Sequence, residues 1–263
     1  MHAPRPDLAF ARICGLPRGG GAVRSEVRGG FLEVVIDRPE RASAVSPGMM
    51  VDLVGVVQRL CQHGGLPVVV HSTASGAFCA GGDLRSVREH LLDRHAAAAM
   101  ADVMTWALDG LWMHAGVVVA AVEGAALGGG AEWLTACDQI IVGQDARIGF
   151  VHARLGVSPG WGGARRLVER VGRQRALMWL SDPQPRPASE CLAQGMADRL
   201  VPAGQALDTA RRLAARIASG APSVLAAAAR LAKDGAAGER ETFLELWGGP
   251  NHLAALASVR AGR

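Results

Sequence analysis

Two glycine-rich clusters of similar make-up stand out in this 263-residue chain. Residues 75–84 read Ser-Gly-Ala-Phe-Cys-Ala-Gly-Gly-Asp-Leu, and residues 123–132 read Glu-Gly-Ala-Ala-Leu-Gly-Gly-Gly-Ala-Glu. Each follows a β-branched apolar run and precedes a helical pattern, so each reads as a strand-to-helix loop. Small residues at a helix start leave backbone N–H groups bare, and the helix dipole adds positive potential, which suits an oxyanion. A thioester enolate is such an anion. The plainer alternative is a pair of tight turns, and the recurrence of the pattern weighs against it. Neither cluster is a nucleotide loop: Gly128-Gly129-Gly130 lacks the GxGxxG spacing, and GxxxxGK[ST] does not occur.

A second candidate chemistry is Gly156-Val157-Ser158-Pro159-Gly160, a GxSxG match with Asp182 or Asp198 and then His252 following in hydrolase chain order. In that elbow the residue after the nucleophile supplies an oxyanion N–H. Here it is Pro159, which has none, so a Pro-Gly turn with an incidental serine is the better reading. None of the histidines sits in HExxH or pairs with cysteines at zinc spacing, so no metal is expected. His152 lies twenty residues after Glu132, beyond a strand that could return it to the same pocket, where it would serve as an acid or hydrogen-bond donor. Tyrosine is absent, which removes phenolic acid chemistry.

The elements that must carry these loops are legible as short apolar runs at residues 31–36, 66–70, 116–122 and 139–142, bounded by Gly, Pro or charge. Ser46-Pro47 opens a helix with Met50, Val54, Val57 and Cys61 on one face. Alternation of the two patterns predicts an α/β fold with a largely parallel sheet. Three prolines in residues 181–187 mark a break, after which 188–195, 203–219, 222–233 and 239–247 all read as helices. Apolar residues form 49% and charged residues 20%, as in folded soluble domains, so disorder is excluded. The longest uncharged apolar run, 115–122, is far shorter than the ~18–20 residues that span a bilayer, so no membrane segment is expected. Twenty-eight basic against 24 acidic residues, with no Lys/Arg block, argue against nucleic acid. The five cysteines are dispersed without CxxC pairs, which fits a reducing cytoplasm. Residues 1–22 carry a Gly19-Gly20-Gly21 run and no apolar secretory core, and are expected to form a flexible leader.

At five blocks the sequence resembles the crotonase superfamily, the enoyl-CoA hydratase/isomerase family. The blocks are Ile36-Asp37-Arg38-Pro39, Ala77 through Leu84, Val122 through Gly130, Ala136-Cys137-Asp138, and Gly156 through Gly163 followed by Arg166-Leu167. The resemblance implies a crotonase-like spiral of ββα units over residues 23–200, with a C-terminal helical region at 201–263 that closes the pocket and packs a homotrimer or dimer of trimers. It implies that the Gly82 and Gly129 N–H groups form the oxyanion hole for an acyl-CoA thioester, coenzyme A entering as part of the substrate with no further cofactor. Ala80, Asp83 and Leu84 would line the substrate site. Of two glutamates that act in hydratases of this kind, the first matches Glu132 and the second is replaced by His152. Phe150-Val151-His152, Ser158 through Gly163, and Trp247 through Asn251 resemble the branch that decarboxylates ethylmalonyl-CoA or methylmalonyl-CoA. That chemistry needs an enolate-stabilising hole and an acid, with Glu132 and His152 as the candidates, and no water-activating pair. Trp161 is a candidate wall for a small branched acyl group. Arg38, Arg41 and Arg85 are candidate cations for the CoA phosphates. Hydratase or isomerase chemistry on Glu132 and a non-catalytic binding module are the remaining readings.

Overall fold

The computed structural model describes residues 5–233 and 238–261. The first half contains α1 (Asp7–Cys14), β1 (Ala22–Arg28), β2 (Phe31–Asp37), α2 (Pro47–Gln62), β3 (Val68–Ser72), β4 (Ala77–Cys79), α3 (Leu84–His90) and α4 (Arg94–Trp112). There follow β5 (Val118–Val122), β6 (Ala125–Leu127), α5 (Gly129–Leu134), β7 (Gln139–Gly143), β8 (Arg147–Gly149), α6 (Gly163–Val171) and α7 (Arg173–Ser181). The chain continues with β9 (Arg186–Pro187), α8 (Ala188–Ala193), β10 (Arg199–Val201), α9 (Ala206–Ala218), α10 (Pro222–Lys233), α11 (Glu239–Leu246) and α12 (Pro250–Ala261).

The near-continuous Val, Ile and Ala runs of β3, β5 and β7 are what strands covered on both faces require. They pair in parallel within a six-stranded sheet ordered β1-β2-β3-β5-β7-β10, with β1 antiparallel to β2 at the edge. Alternate residues face opposite layers. Val68, Val70, Val118, Ala120, Ile140 and Val142 join the core with α2 and α4, whereas Val69, Val119, Ala121 and Ile141 meet Ala206, Ala210 and Ala214 of α9. The four-residue alanine spacing makes the α9 stripe, and its small side chains let the helix lie close on the sheet. Arg211 of α9 fastens it further, its Nε and Nη2 donating to the two Glu33 carboxylate oxygens at 2.6 and 3.2 Å. Burial alone would raise the Glu33 carboxyl, but the Arg211 guanidinium outweighs it and holds the group below the usual range.

The sequence reading placed one loop after each long strand. In the structure each loop begins with a three-residue strand, and β4, β6 and β8 form a second, parallel set that β9 closes antiparallel. Three residues are too short to show a period of two, so these strands left no pattern. Long strand, short strand and helix then recur three times, which is the ββα spiral. Helices α4, α6 and α7 were also not anticipated, and α12 follows α11 within the expected C-terminal helical region. Among the described residues no helix is long and apolar enough to cross a membrane.

The expectation of a flexible leader is corrected over its described part. Helix α1 packs on α2 and α4 and buries Ile13 to 1% exposure. Residues 15–21 then run as a strap over the start of α2: the Gly48 N–H donates to Arg18 O at 2.9 Å and Ser46 Oγ to Gly20 O at 2.7 Å. About two turns carry too few apolar residues to reveal a helical period, and the surface that receives them is tertiary.

Burial pushes the His71 imidazole down, against the pull of nearby Glu33, and pushes His114 down against the Leu66 carbonyl that it contacts. A histidine whose folded value is depressed contributes stability above the unfolded value and loses it as pH falls. Urea midpoints should therefore decline as pH falls below about 6.5, and His71→Asn or His114→Asn should flatten the decline. An unchanged pH slope in both variants would contradict this assignment.

Candidate active site

Strands β4 and β6 lie side by side, Ala77 opposite Ala125 and Cys79 opposite Ala126, so the loops leaving their C-terminal ends are neighbours. The contact is close. A methyl placed on Gly81 (φ +98°) would stand 3.2 Å from Gly129 N, and one on Gly130 would overlap the Cys79 carbonyl oxygen. The Val45–Gly82 bridge fixes the first loop through Val45 N–H to Gly81 O at 2.7 Å and Asp83 N–H to Val45 O at 2.9 Å. Neither Gly82 N–H nor Gly129 N–H donates to an acceptor among the described residues. Two adjacent donors are thus available to one oxygen. Helix α5 has only six residues, so the N–H groups themselves, more than a helix dipole, supply the positive potential.

Glu132 lies on α5 and is 1% exposed. Its Oε2 accepts from the Trp161 N–H at 2.8 Å and the Gly163 N–H at 3.0 Å; its Oε1 accepts from the Gly160 N–H at 3.3 Å and meets His152 Nε2 at 3.0 Å. A carboxylate offers about four lone-pair directions, and here four partners occupy them. Such bonding offsets the burial of the group, which would otherwise be strongly unfavourable. The His152 ring is 6.1 Å from that of Phe150, which packs edge-on against Trp179. His152 Nδ1 has no hydrogen-bond partner among the described residues.

The same loop presents Trp161. Its ring occupies the position that any side chain at residue 129 would need, and lies 3.6 Å from where a methyl on Gly82 would stand. The indole therefore lies beside both donor glycines. Its peptide is clamped from both sides, the N–H by Glu132 and the carbonyl by Arg166 Nη2 at 2.7 Å. Arg166 is 1% exposed and also donates to Thr135 Oγ1 at 3.2 Å and Asp109 Oδ1 at 2.5 Å. Sequence reasoning named Arg166 only within a family block and gave it no role. Its signal, an arginine just after a glycine-rich loop, does not distinguish a buried clamp from a surface charge.

Other expected site residues sit differently. Asp83 is buried as the N-cap of α3, its Oδ1 accepting from Arg85 N–H at 3.1 Å and its Oδ2 from Arg38 and Ser86. Arg38 is 5% exposed and donates from both terminal nitrogens to Ala44 O, Gly19 O and Asp83, so it is turned inward. Arg41 is exposed and forms no ion pair among the described residues, whereas Arg85 pairs with Glu89 at 2.9 Å. These residues border a polar cavity of about 380 Å³ beside the Gly82 loop. Ala80 is exposed, its N–H donating to Ala42 O, and Leu84 is 53% exposed. Ser158 is exposed and bonds neither His252, Asp182 nor Asp198; His252 instead accepts from Gly248 N–H and stacks on Trp247 at the C-terminal helices. The hydrolase triad is not assembled. Burial pushes the Cys79 thiol up to about 12, which removes it as a nucleophile. The described residues contain no cluster suited to a metal ion.

The profile of the family described as Enoyl-CoA hydratase/isomerase matches residues 26–245. The chain belongs to this family. The solved enoyl-CoA hydratase from Bacillus anthracis superposes with a TM-score of 0.86 over 92% of this chain and 96% of that one, at 22% identity, which shows the shared crotonase fold. An ethylmalonyl-CoA decarboxylase of Danio rerio is 34% identical over 94% of this chain and 86% of its own length. Another, of Mus musculus, is 32% identical over 91% and 77%. Crotonase-family enzymes act on acyl-CoA thioesters, and the paired Gly82 and Gly129 donors suit a thioester oxygen.

Glu132→Gln tests the saturated carboxylate. An amide would face backbone N–H groups with its own NH₂ at one of the two oxygen positions. The expected loss is about 2–3 kcal/mol in urea unfolding, the magnitude of a buried donor left unmatched. Undiminished stability would mean that Glu132 does not hold the 160–163 loop.

Proposed function

We propose that the chain decarboxylates a small malonyl-type CoA thioester, ethylmalonyl-CoA or methylmalonyl-CoA. The observation that carries this reading is the state of Glu132. Hydration requires carboxylates free to place and activate water. Here the sole matching carboxylate is saturated by three peptide N–H groups and His152, and the second position is His152 itself. Using Glu132 as a mobile base would require breaking the bonds that hold the site together. The decarboxylase relatives, matched over most of their length, support the same chemistry.

In this mechanism the thioester oxygen accepts from Gly82 and Gly129 N–H. The bond between the α-carbon and the free carboxylate breaks, its electron pair enters the enolate, and CO₂ leaves. The two N–H groups stabilise the charge that develops on oxygen, and each such donor is worth about 10²–10³ in rate. His152 then gives a proton to the α-carbon and regains one from solvent. Its Nε2 is oriented by Glu132, and its Nδ1 is buried with no hydrogen-bond partner among the described residues. The Trp161 indole walls the acyl pocket and keeps it small. Arg41 and the polar cavity beside the Gly82 loop receive the phosphates of CoA, and no further cofactor is needed. The exposed apolar residues Phe243, Trp247, Leu253 and Leu256 support assembly into trimers through the C-terminal helices.

Purified protein supplied in parallel with ethylmalonyl-CoA, methylmalonyl-CoA and crotonyl-CoA should release CO₂ from a malonyl thioester and leave crotonyl-CoA unhydrated. His152→Gln should lower kcat about 100-fold, within the range of lost acid catalysis. Water addition to crotonyl-CoA with no CO₂ from either malonyl ester would overturn the proposal.

A further inference from the structure

We infer that Arg38 is a positioning residue for the oxyanion hole, holding the Gly82 N–H in place from a buried hub closed by the glycine strap. Its guanidinium joins three separate segments beside that donor. Nη2 donates to Asp83 Oδ2 at 2.9 Å, on the residue immediately after Gly82, and to Gly19 O at 2.6 Å in the strap. Nη1 donates to Ala44 O at 2.9 Å, next to Val45, whose backbone bridges Gly82. Both chain neighbours of Gly82 are therefore tied: Gly81 O accepts from Val45 N–H, and Asp83 is bound by N–H to Val45 and by carboxylate to Arg38. The peptide between them has little freedom to tilt.

Charge and burial make the hub directional. Arg38 and Asp83 are 5% and 9% exposed, so their attraction is little screened, and removing one would strand the other. Burial raises the Asp83 carboxyl, but Arg38 and the α3 N–H overcome it and hold the group below its usual range. The strap completes the enclosure. Gly19, Gly20 and Gly21 all have φ near +75°, a region that favours glycine. A methyl on Gly21 would stand 2.8 Å from Cβ, Cγ and Cδ of Arg38, so the strap lies directly on the arginine stem. The segment expected to be a loose leader thus covers the residue that orients the hole.

The inference rests on the thioester-binding reading of the site and not on decarboxylation, and its test separates the two. Butyryl-CoA carrying ¹³C at the thioester carbonyl has no carboxylate to lose, and its chemical shift reports carbonyl polarisation by the hole. Bound to the unaltered protein, the signal should move downfield of free butyryl-CoA. Arg38→Ala and Asp83→Asn should each lose at least half of that displacement. With the best turned-over thioester, kcat should fall 10-fold or more and KM change less than 3-fold. Arg38→Lys should recover part of both, because it restores the charge without the three-way fork. Gly21→Val should reproduce the effect from the strap, and it keeps the test open where Arg38→Ala does not fold. A raised KM with unaltered kcat and carbonyl shift would make Arg38 a CoA ligand and overturn the inference. So would folded variants with wild-type shift and kinetics.

Discussion

The carboxylate of Glu132 is the point on which the rest of the site depends. An acidic side chain 1% exposed persists only because both oxygens are matched. The N–H groups that match them come from Gly160, Trp161 and Gly163, so one side chain on α5 fixes the path of a loop about thirty residues later. That loop in turn sets the Trp161 indole against Gly82 and Gly129, and the remaining Glu132 contact orients His152. Three features of the candidate site, namely the place of the Trp161 indole, the orientation of His152 and the space beside Gly82 and Gly129, follow from one buried carboxyl group. A carboxylate used in this way is a scaffold. Its hydrogen bonds hold the path of the 160–163 loop.

Around this centre the fold works by close approach. The short strands β4 and β6 bring two loops side by side, glycines at 81 and 130 remove the side chains that would hold those loops apart, and Gly129 leaves room for the Trp161 indole. Arg166 and Arg38 perform similar tasks as buried guanidiniums, Arg166 gathering one carbonyl, one hydroxyl and one carboxylate and Arg38 two carbonyls and one carboxylate. Arginine suits this work because its planar fork offers several fixed donors and stays charged when buried. The result is a pair of N–H groups, those of Gly82 and Gly129, held in place without acceptors among the described residues.

Much of this was legible in the residues. The long strands declared themselves through β-branched runs, α2 through its Ser-Pro cap, and the two loops through their glycines. Glu132 and His152 were placed in one pocket by the strand between them and by family resemblance, and the structure brings them to 3.0 Å. What stayed hidden depended on tertiary surroundings. Three-residue strands have no period. A helix as short as α1 is stabilised by the groove that receives it. Arg38 and Asp83 carried the marks of solvent-facing ligands, yet they face each other inside, because sequence shows a charge but not its burial. Ser158 showed the reverse failure, a motif whose partners the fold never assembles.

The most direct test is turnover of ethylmalonyl-CoA in D₂O, followed by mass spectrometry and NMR of the acyl product. An enolate held at Gly82 and Gly129 and quenched by an exchangeable proton on His152 predicts one CO₂ per thioester consumed. It also predicts butyryl-CoA with a single deuteron at the α-carbon, delivered to one face. No CO₂, or a deuteron distributed over both faces, would contradict an enolate protonated by a fixed acid within this site.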